Sequence, residues 1–181
     1  MRRIADTGEK RMLLRRIIIY TALFFFLGVA QCSFFSRLKP FGATPDIVLG
    51  GICAVLMLDN KKSAAVCAIA AGYFVDALGA VPPSFSPLFY LACVALIGYL
   101  SDKFMPSFAS FAILMLPASL LRSVFTYLNL LITMGKAASF GAAISSVMLP
   151  ELISTFVVCL PIYFLVKLCM LPIGAKGRFE L

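Results

Sequence analysis

The stretch of sequence that decides the fold is SAAVCAIAAGYFVDALGA, residues 63–80. Small or acidic residues recur in it at every fourth position, and they are Ala64, Ala68, Gly72, Asp76 and Ala80. On a helix, residues four apart lie on one face, so this spacing predicts a face that another backbone approaches closely. An acid at membrane depth is tolerated only where it faces protein or water. We therefore predict that neighbouring helices pack closely against this membrane helix around the carboxylate of Asp76.

The composition places the whole chain in a membrane. Hydrophobic residues make up 62% of the 181 positions, charged residues 13%, and the mean hydropathy is +1.01. A soluble domain has roughly 45–50% apolar and about 25% charged residues, so this chain lacks the side chains for a water-soluble surface. The net charge of +8 comes from basic residues near the ends of apolar runs. There they set topology and contact anionic membrane lipids, and we do not predict nucleic-acid binding.

Side chains that could carry chemistry are scarce. The chain has no histidine, which removes imidazole bases, Ser-His and Cys-His nucleophile pairs and the commonest metal ligand. Its six cysteines lie within or at the edge of apolar runs, no two with C-x-x-C spacing, and we expect them to pack as small hydrophobic side chains. The sequence therefore predicts no catalytic residue, no metal site, no cofactor and no enzymatic activity.

Six apolar stretches approach the roughly 20 residues that cross a bilayer, some of them somewhat shorter. They are residues 17–35, 45–58, 63–80, 87–100, 106–134 and 150–171. Residues 135–149 fit an external loop, an interfacial helix or an extension of the sixth stretch. The predicted fold is all-α: a polytopic membrane helix bundle of about six transmembrane helices. It has a basic tail (1–16), a transmembrane domain (17–171) and a C-terminal tail (172–181).

The distribution of lysine and arginine predicts the orientation of the bundle. Twelve basic residues fall on the side that holds both termini and the second and fourth connections, and three fall opposite: Arg37, Lys39 and Lys136. By the positive-inside rule, both termini are cytoplasmic.

Two acids follow prolines at outward-facing helix starts. Asp46 opens the second span and Glu151 the sixth, and an acid in a first turn is favourable with the helix dipole. We expect Glu151 to lie near the headgroups. For Asp46 we favour the same structural role, with contact to a partner as the alternative.

Two further charges fall at similar depth inside the membrane. Asp76 lies thirteen residues beyond Ser63 and Arg122 sixteen residues beyond Pro106, which is about 20 Å and about 24 Å along helices that run in the same direction. This depth makes an ion pair between Asp76 and Arg122 geometrically possible. We favour an interhelical clamp over an ion relay or ligand site, because transporter sites usually collect several such charges.

The small residues also predict how the helices pack. The third span has the most alanine and glycine, so we expect it to be the central helix. Gly50, Gly51 and Ala54 of the second span would nest against it.

Four short segments carry a family resemblance. Pro45-Asp46 opens a short apolar helix, the charged turn Lys61-Lys62 follows, and then comes AGYFVDALG, residues 71–79. This run resembles the MreD family of bacterial rod shape-determining membrane proteins, which typically has a Pro-Asp-like helix start and a Gly-x-x-x-Asp segment in the next helix. The segment from LPEL (149–152) to PIY (161–163) is similar to the family's closing helix.

The resemblance implies a non-enzymatic scaffold in the bacterial plasma membrane. Proteins of this family work in the cell-elongation machinery beside MreC, the actin-like MreB and the peptidoglycan synthases. The bundle would hold the single membrane helix of an MreC-like partner and help to organise wall synthesis and cell shape. By position, Asp46, Gly72, Asp76 and Glu151 fall on the matched segments, whereas Arg122 follows only from its depth and charge.

The main alternative is the substrate-binding membrane subunit of an energy-coupling factor vitamin transporter, which is also a small bundle of about six spans. Such a subunit should show an Ala-x-x-x-Ala contact motif on its first span. Here the first span offers Ala22 and Ala30 with bulky Phe26 between them. Polar side chains and tryptophan for a vitamin pocket are also scarce. An intramembrane enzyme ranks third, because the chain has no catalytic signature.

Overall fold

The structure, a computed structural model, describes residues 2–79, 85–134, 141 and 144–171. This part of the chain is helical, without a β-strand, as the sequence predicts. Its six long helices are α1 (Arg2–Val29), α2 (Ile47–Leu58), α3 (Lys61–Gly79), α4 (Ser86–Ser101), α5 (Phe108–Met134) and α6 (Leu149–Met170). The helix α1 runs without a break from the basic tail into the first apolar stretch.

Within the described ranges, four helical runs are long and apolar enough to cross a membrane. They are Met12–Leu38, Lys61–Gly79, Phe108–Asn129 and Ile144–Met170. The helices α2 and α4 are equally apolar but have only 12 and 16 residues. At 1.5 Å per residue they are about 18 Å and about 24 Å long, less than the ~30 Å hydrocarbon core. The described part of the chain is therefore all-helical, with four long membrane-spanning candidates and two shorter apolar helices.

The short helix α2 is the centre of the bundle. All twelve of its residues are buried, and it contacts α1, α3, α4, α5 and α6. The prediction that the third span is central is therefore wrong. The helix α2 has no charged residue, and its neighbours cover it on every side. A high alanine content marks a face that packs closely, and it does not show that a helix is surrounded by others.

The glycines of α2 face two other helices. A Cβ atom on Gly50 would lie 2.5 Å from Sγ of Cys159 on α6, and one on Gly51 would lie 2.7 Å from Cδ1 of Leu27 on α1. The predicted nesting of these glycines against the third span is thus also wrong. They bring α6 and α1 close to the central helix instead.

The small-residue face of α3 is buried as predicted. Ala64 and Ala68 are fully buried, and Gly72 meets the start of α4 so closely that a Cβ atom would lie 2.4 Å from Cα of Pro87. Because that neighbour is backbone, it cannot move aside as a side chain does. Ala80, the last member of the predicted stripe, lies outside the described residues.

Two π-helical turns extend the long helices. Ala30–Phe35 continues α1, and Ile144–Met148 leads into α6. Pro150 has no N–H and its ring crowds the carbonyl four residues earlier, which disfavours regular α-helix just before it. The carbonyl of Met148 accepts a hydrogen bond from Ser123 Oγ at 3.2 Å. Residues 144–148 are therefore an extension of the sixth span, one of the three structures considered for residues 135–149.

The two ends of the bundle differ in chemistry. At one end, which we call the basic end, Arg16 pairs with Asp59 at 3.2 Å and Lys61 pairs with Asp102. Asn60 caps α3 there, with its Oδ1 accepting the Ser63 N–H at 2.7 Å. The opposite end holds the start of α2, the end of α3 and the starts of α4 and α6. The connection at 80–84, residues 135–140 and 142–143, and the C-terminal tail 172–181 lie outside the described part.

Candidate functional site: a buried polar network

Asp46 is the N-cap of α2 and is almost completely buried. Its carboxylate accepts the backbone N–H of Leu49 at 2.9 Å, which satisfies one of the free donors of the helix start. Its own N–H donates to Oγ1 of Thr155 on α6 at 3.2 Å. Tyr90 of α4 donates its hydroxyl to the carboxylate, 3.0 Å from each oxygen. The structural role expected for Asp46 at its helix start is thus present, and it extends to two further helices.

Arg122 of α5 completes the charge balance around Asp46. Its Nε lies 3.2 Å from Oδ2 of Asp46 and 3.4 Å from Oε1 of Glu151. Its Cζ lies 5.4 Å from the ring centroid of Phe89, and that ring stacks on Phe125 with centroids 4.6 Å apart. A guanidinium over an aromatic face is attracted by the ring quadrupole. The cation is thus held by two carboxylates and one aromatic surface.

Glu151 lies in the first turn of α6, as predicted, but inside the protein. It is 5% exposed, and its Oε1 accepts a hydrogen bond from Thr126 of α5 at 2.8 Å. The π-helical turn before α6 places this residue inside a continuous helical run, and its predicted depth near the headgroups stays a prediction. Within the described residues, no hydrogen-bond donor reaches Oε2 of Glu151.

Gln31 adds α1 to the same region. It lies in the π-helical turn and is buried, and its Oε1 accepts the backbone N–H of Val48 at 3.1 Å. π-helical turns redirect side chains that a regular α-helix would place elsewhere, and they are frequent at functional sites. Here the redirected amide satisfies a second free donor at the start of α2.

We call this set the buried polar network. It joins α1, α2, α4, α5 and α6, and its members are Gln31, Asp46, Tyr90, Arg122, Thr126, Glu151 and Thr155. Sequence reasoning singled out the three charged members and missed the four neutral ones. The sequence did contain a signal for these four residues. Each is a hydrogen-bonding side chain in the half of an apolar stretch that lies towards the same end of the bundle. In lipid such side chains usually bond across helices.

Arg122 pairs with Asp46 and Glu151, and the pair considered with Asp76 does not form. Both residues lie towards the end of the bundle opposite the basic end, but position along a helix does not give direction around the bundle. The helix α5 packs against α2, α4 and α6, whereas α3 packs against α1, α2 and α4. Asp76 is half-buried on α3 and makes no ion pair with the part of the chain that the structure describes.

The contacts of Gly72 and Asp76 separate their roles. Gly72 packs against the backbone of α4 and sets the distance between two helices. Asp76, one turn further along α3, retains partial exposure at the end of the bundle that holds the buried polar network. Of the five sequence-predicted residues, the structure brings Asp46, Arg122 and Glu151 together and places Gly72 and Asp76 apart from them.

The buried polar network links helices through ion pairs and hydrogen bonds. Arg122 and the two acids bond to each other or to helix ends, hydroxyls and an aromatic ring. Cys159 of α6 is a free thiol that donates to the carbonyl of Asp46 at 3.3 Å. Among the described residues, no group of three His, Cys, Asp or Glu could hold a metal ion.

The chain was compared with protein-family models, with curated proteins and with solved structures, and none of them matches it. The class of protein that the fold defines is an all-helical membrane protein with a buried interhelical charge network. A more specific assignment rests on the sequence resemblance and is a proposal.

Proposed function

We propose that this chain is a non-enzymatic membrane scaffold of the bacterial cell-elongation machinery, similar to MreD proteins. In this proposal it is a multi-pass protein of the plasma membrane with six spans and both termini in the cytoplasm. The short helices α2 and α4 cross as members of the bundle, since α2 is buried along its whole length and α4 packs against α2, α3 and α5. Its partners are an MreC-like membrane protein, an MreB-like actin, peptidoglycan synthases and anionic lipids.

The observation that carries the proposal is that the charged residues of the buried polar network contact one another and the ends of helices. Asp46, Arg122 and Glu151 bind one another and cap or cross-link helices. Removing Arg122 from this buried set is expected to destabilise strongly, by about 3–5 kcal/mol, because it leaves buried carboxylates without a cation. A rigid bundle whose buried charged side chains contact one another suits a protein that presents a fixed surface to its partners.

Asp76 is the residue we propose for partner contact. It belongs to the Gly-x-x-x-Asp segment that carries the family resemblance, and it is half-buried next to the closely packed Gly72. A carboxylate at membrane depth needs a polar partner. The single membrane helix of an MreC-like protein, with a hydrogen-bond donor at that depth, would supply one.

The experiment is affinity capture of the tagged full-length chain from its native membrane in mild detergent, with mass spectrometry of the captured proteins. We expect an MreC-like protein and peptidoglycan synthases. Asp76→Asn should lower recovery of the MreC-like protein several-fold at unchanged expression. Asp102→Asn, an acid at the basic end, is the matched control and should leave recovery unchanged.

Recovery of paired ATPases with a coupling membrane subunit would overturn the scaffold and favour the vitamin transporter. Equal recovery of the MreC-like protein by Asp76→Asn and the control would retain the scaffold and exclude Asp76 as its contact.

A further inference from the structure

A large apolar groove runs between α1 and α3 from the basic end of the bundle. It has a volume of about 960 Å³. Its walls are side chains of both helices, among them Ile17, Phe25 and Val66, which are 60%, 57% and 68% exposed. The groove is separate from the buried polar network, which lies at the other end.

The groove is as deep as one leaflet of a bilayer. On α1 it extends from Leu13 to Phe25, twelve residues, and on α3 from Lys61 to Phe74, thirteen residues. These distances are about 18 Å and about 20 Å along the helices, and half of a bilayer with its headgroups, about 40–45 Å thick, is about 20–22 Å. A spanning partner helix of about 20 residues is about 30 Å long and extends well beyond this groove.

Aromatic packing closes the groove at mid-membrane depth. The rings of Phe25 and Phe74 lie 5.1 Å apart between centroids, and a Cβ atom on Gly28 would lie 2.7 Å from Cδ1 of Phe74. The helices α1 and α3 therefore meet there, and the groove ends. It is open towards lipid and towards the basic end.

The open end of the groove is positively charged and has hydrogen-bond donors. Arg16, Lys61 and Lys62 line it, with Asp59 and Asp102 as the acids. Arg16 uses Nη1 for Asp59, and Lys61 binds Asp102. Lys62 makes no ion pair with any described residue. The first turn of α3 also lies there, where the helix dipole favours an anion.

We propose that this groove binds one anionic phospholipid from the leaflet at the basic end. The acyl chains lie along α1 and α3 as far as the Phe25–Phe74 contact. The phosphate lies at the open end beside Lys62 and the remaining donors of Arg16. Leaflet depth, apolar walls and a net positive mouth together favour a lipid over a spanning helix. This inference does not depend on the scaffold proposal.

The chain has no tryptophan, so a single introduced tryptophan can report lipid contact. The test uses full-length Phe25→Trp in phosphatidylcholine bilayers with increasing phosphatidylglycerol that carries brominated acyl chains, which quench tryptophan fluorescence. Phe26→Trp is the matched control, because Phe26 is 73% exposed and does not line the groove. Val66→Trp with Ile69→Trp as its control repeats the comparison on α3, should either phenylalanine variant fail to fold.

We expect half-maximal quenching of Phe25→Trp at a several-fold lower mole fraction of the anionic lipid than for Phe26→Trp. Adding Lys62→Gln should raise that mole fraction about fivefold, the effect of one basic residue near a lipid surface. Lys103→Gln, outside the groove, should not. With brominated phosphatidylcholine as quencher, the quenching of both tryptophan variants should increase in the same way with the mole fraction of the brominated lipid.

Two results would overturn the proposal. Coincident quenching curves for Phe25→Trp and Phe26→Trp with the anionic lipid would show that the groove holds only bulk lipid. Absence of quenching of Phe25→Trp at every mole fraction would show that protein, such as a second copy of this chain, fills the groove.

Discussion

At the scale of single residues, Asp46 serves as a helix cap and as the partner of a buried cation. The cap needs an oxygen acceptor, which asparagine also provides, whereas the ion pair with Arg122 needs the negative charge. The two roles can therefore be separated by substitution.

Asp46→Ala should be much more damaging than Asp46→Asn. Alanine removes the acceptor for Leu49 N–H, the Tyr90 hydrogen bond and the ion pair, and we expect a loss of about 3–5 kcal/mol in the free energy of unfolding. Asparagine keeps the cap and the tyrosine contact, and Arg122 keeps Glu151. Thermal unfolding in detergent measures both variants. Equal losses would contradict a capping role for the side chain.

A double-mutant cycle tests which acid Arg122 meets. Arg122→Gln and Glu151→Gln should be non-additive, because the double variant removes the uncompensated carboxylate that Arg122→Gln alone leaves behind. Arg122→Gln and Asp76→Asn should be additive within about 0.5 kcal/mol. Strong coupling between positions 76 and 122 would instead support the ion pair between Asp76 and Arg122 that the sequence made possible.

The sequence predicted the end of the bundle at which each charged residue lies, and not its neighbour. Depth follows from the position along a helix, which is why Asp46, Arg122 and Glu151 were all placed near one end. The neighbour depends on rotation of each helix and on which helices touch. Nothing local in the sequence encodes that α5, rather than α3, lies beside the start of α6.

At the scale of helices, Gly72 controls the packing of α3 on α4. Gly72→Ala would place a Cβ atom 2.4 Å from Cα of Pro87, so the helices must separate, and we expect a loss of about 1–3 kcal/mol. Gly79→Ala is the matched control on the same helix, since a Cβ atom there meets nothing within 4 Å. Thermal unfolding of the two variants gives the comparison. Equal stability would mean that α3 and α4 do not pack at Gly72.

The helix limits were largely predictable, because apolar runs end at prolines, charges and turns. The second span was placed at 45–58 and α2 is Ile47–Leu58; the third was placed at 63–80 and α3 is Lys61–Gly79. Which helix is buried most deeply was not predictable in the same way. The alanines of α3 mark one close-packed face, whereas α2 is covered on all sides by larger helices.

For the whole molecule, the proposed topology can be measured by labelling. In a variant with all six native cysteines replaced by alanine, Lys39→Cys should react with an impermeant maleimide on intact cells. Lys103→Cys should react only after the membrane is opened, because the positive-inside rule puts it in the cytoplasm. Both side chains are exposed, so lack of reaction reflects sidedness. Reaction of both on intact cells would contradict six spans with cytoplasmic termini.

The most direct test of the scaffold is cell shape after the chain is depleted from the bacterium that makes it. The account predicts that rod-shaped cells widen and become round, and that wild type and Asp102→Asn restore rods while Asp46→Ala does not. Retention of rod shape together with a new requirement for an external vitamin would contradict it and identify a transporter subunit.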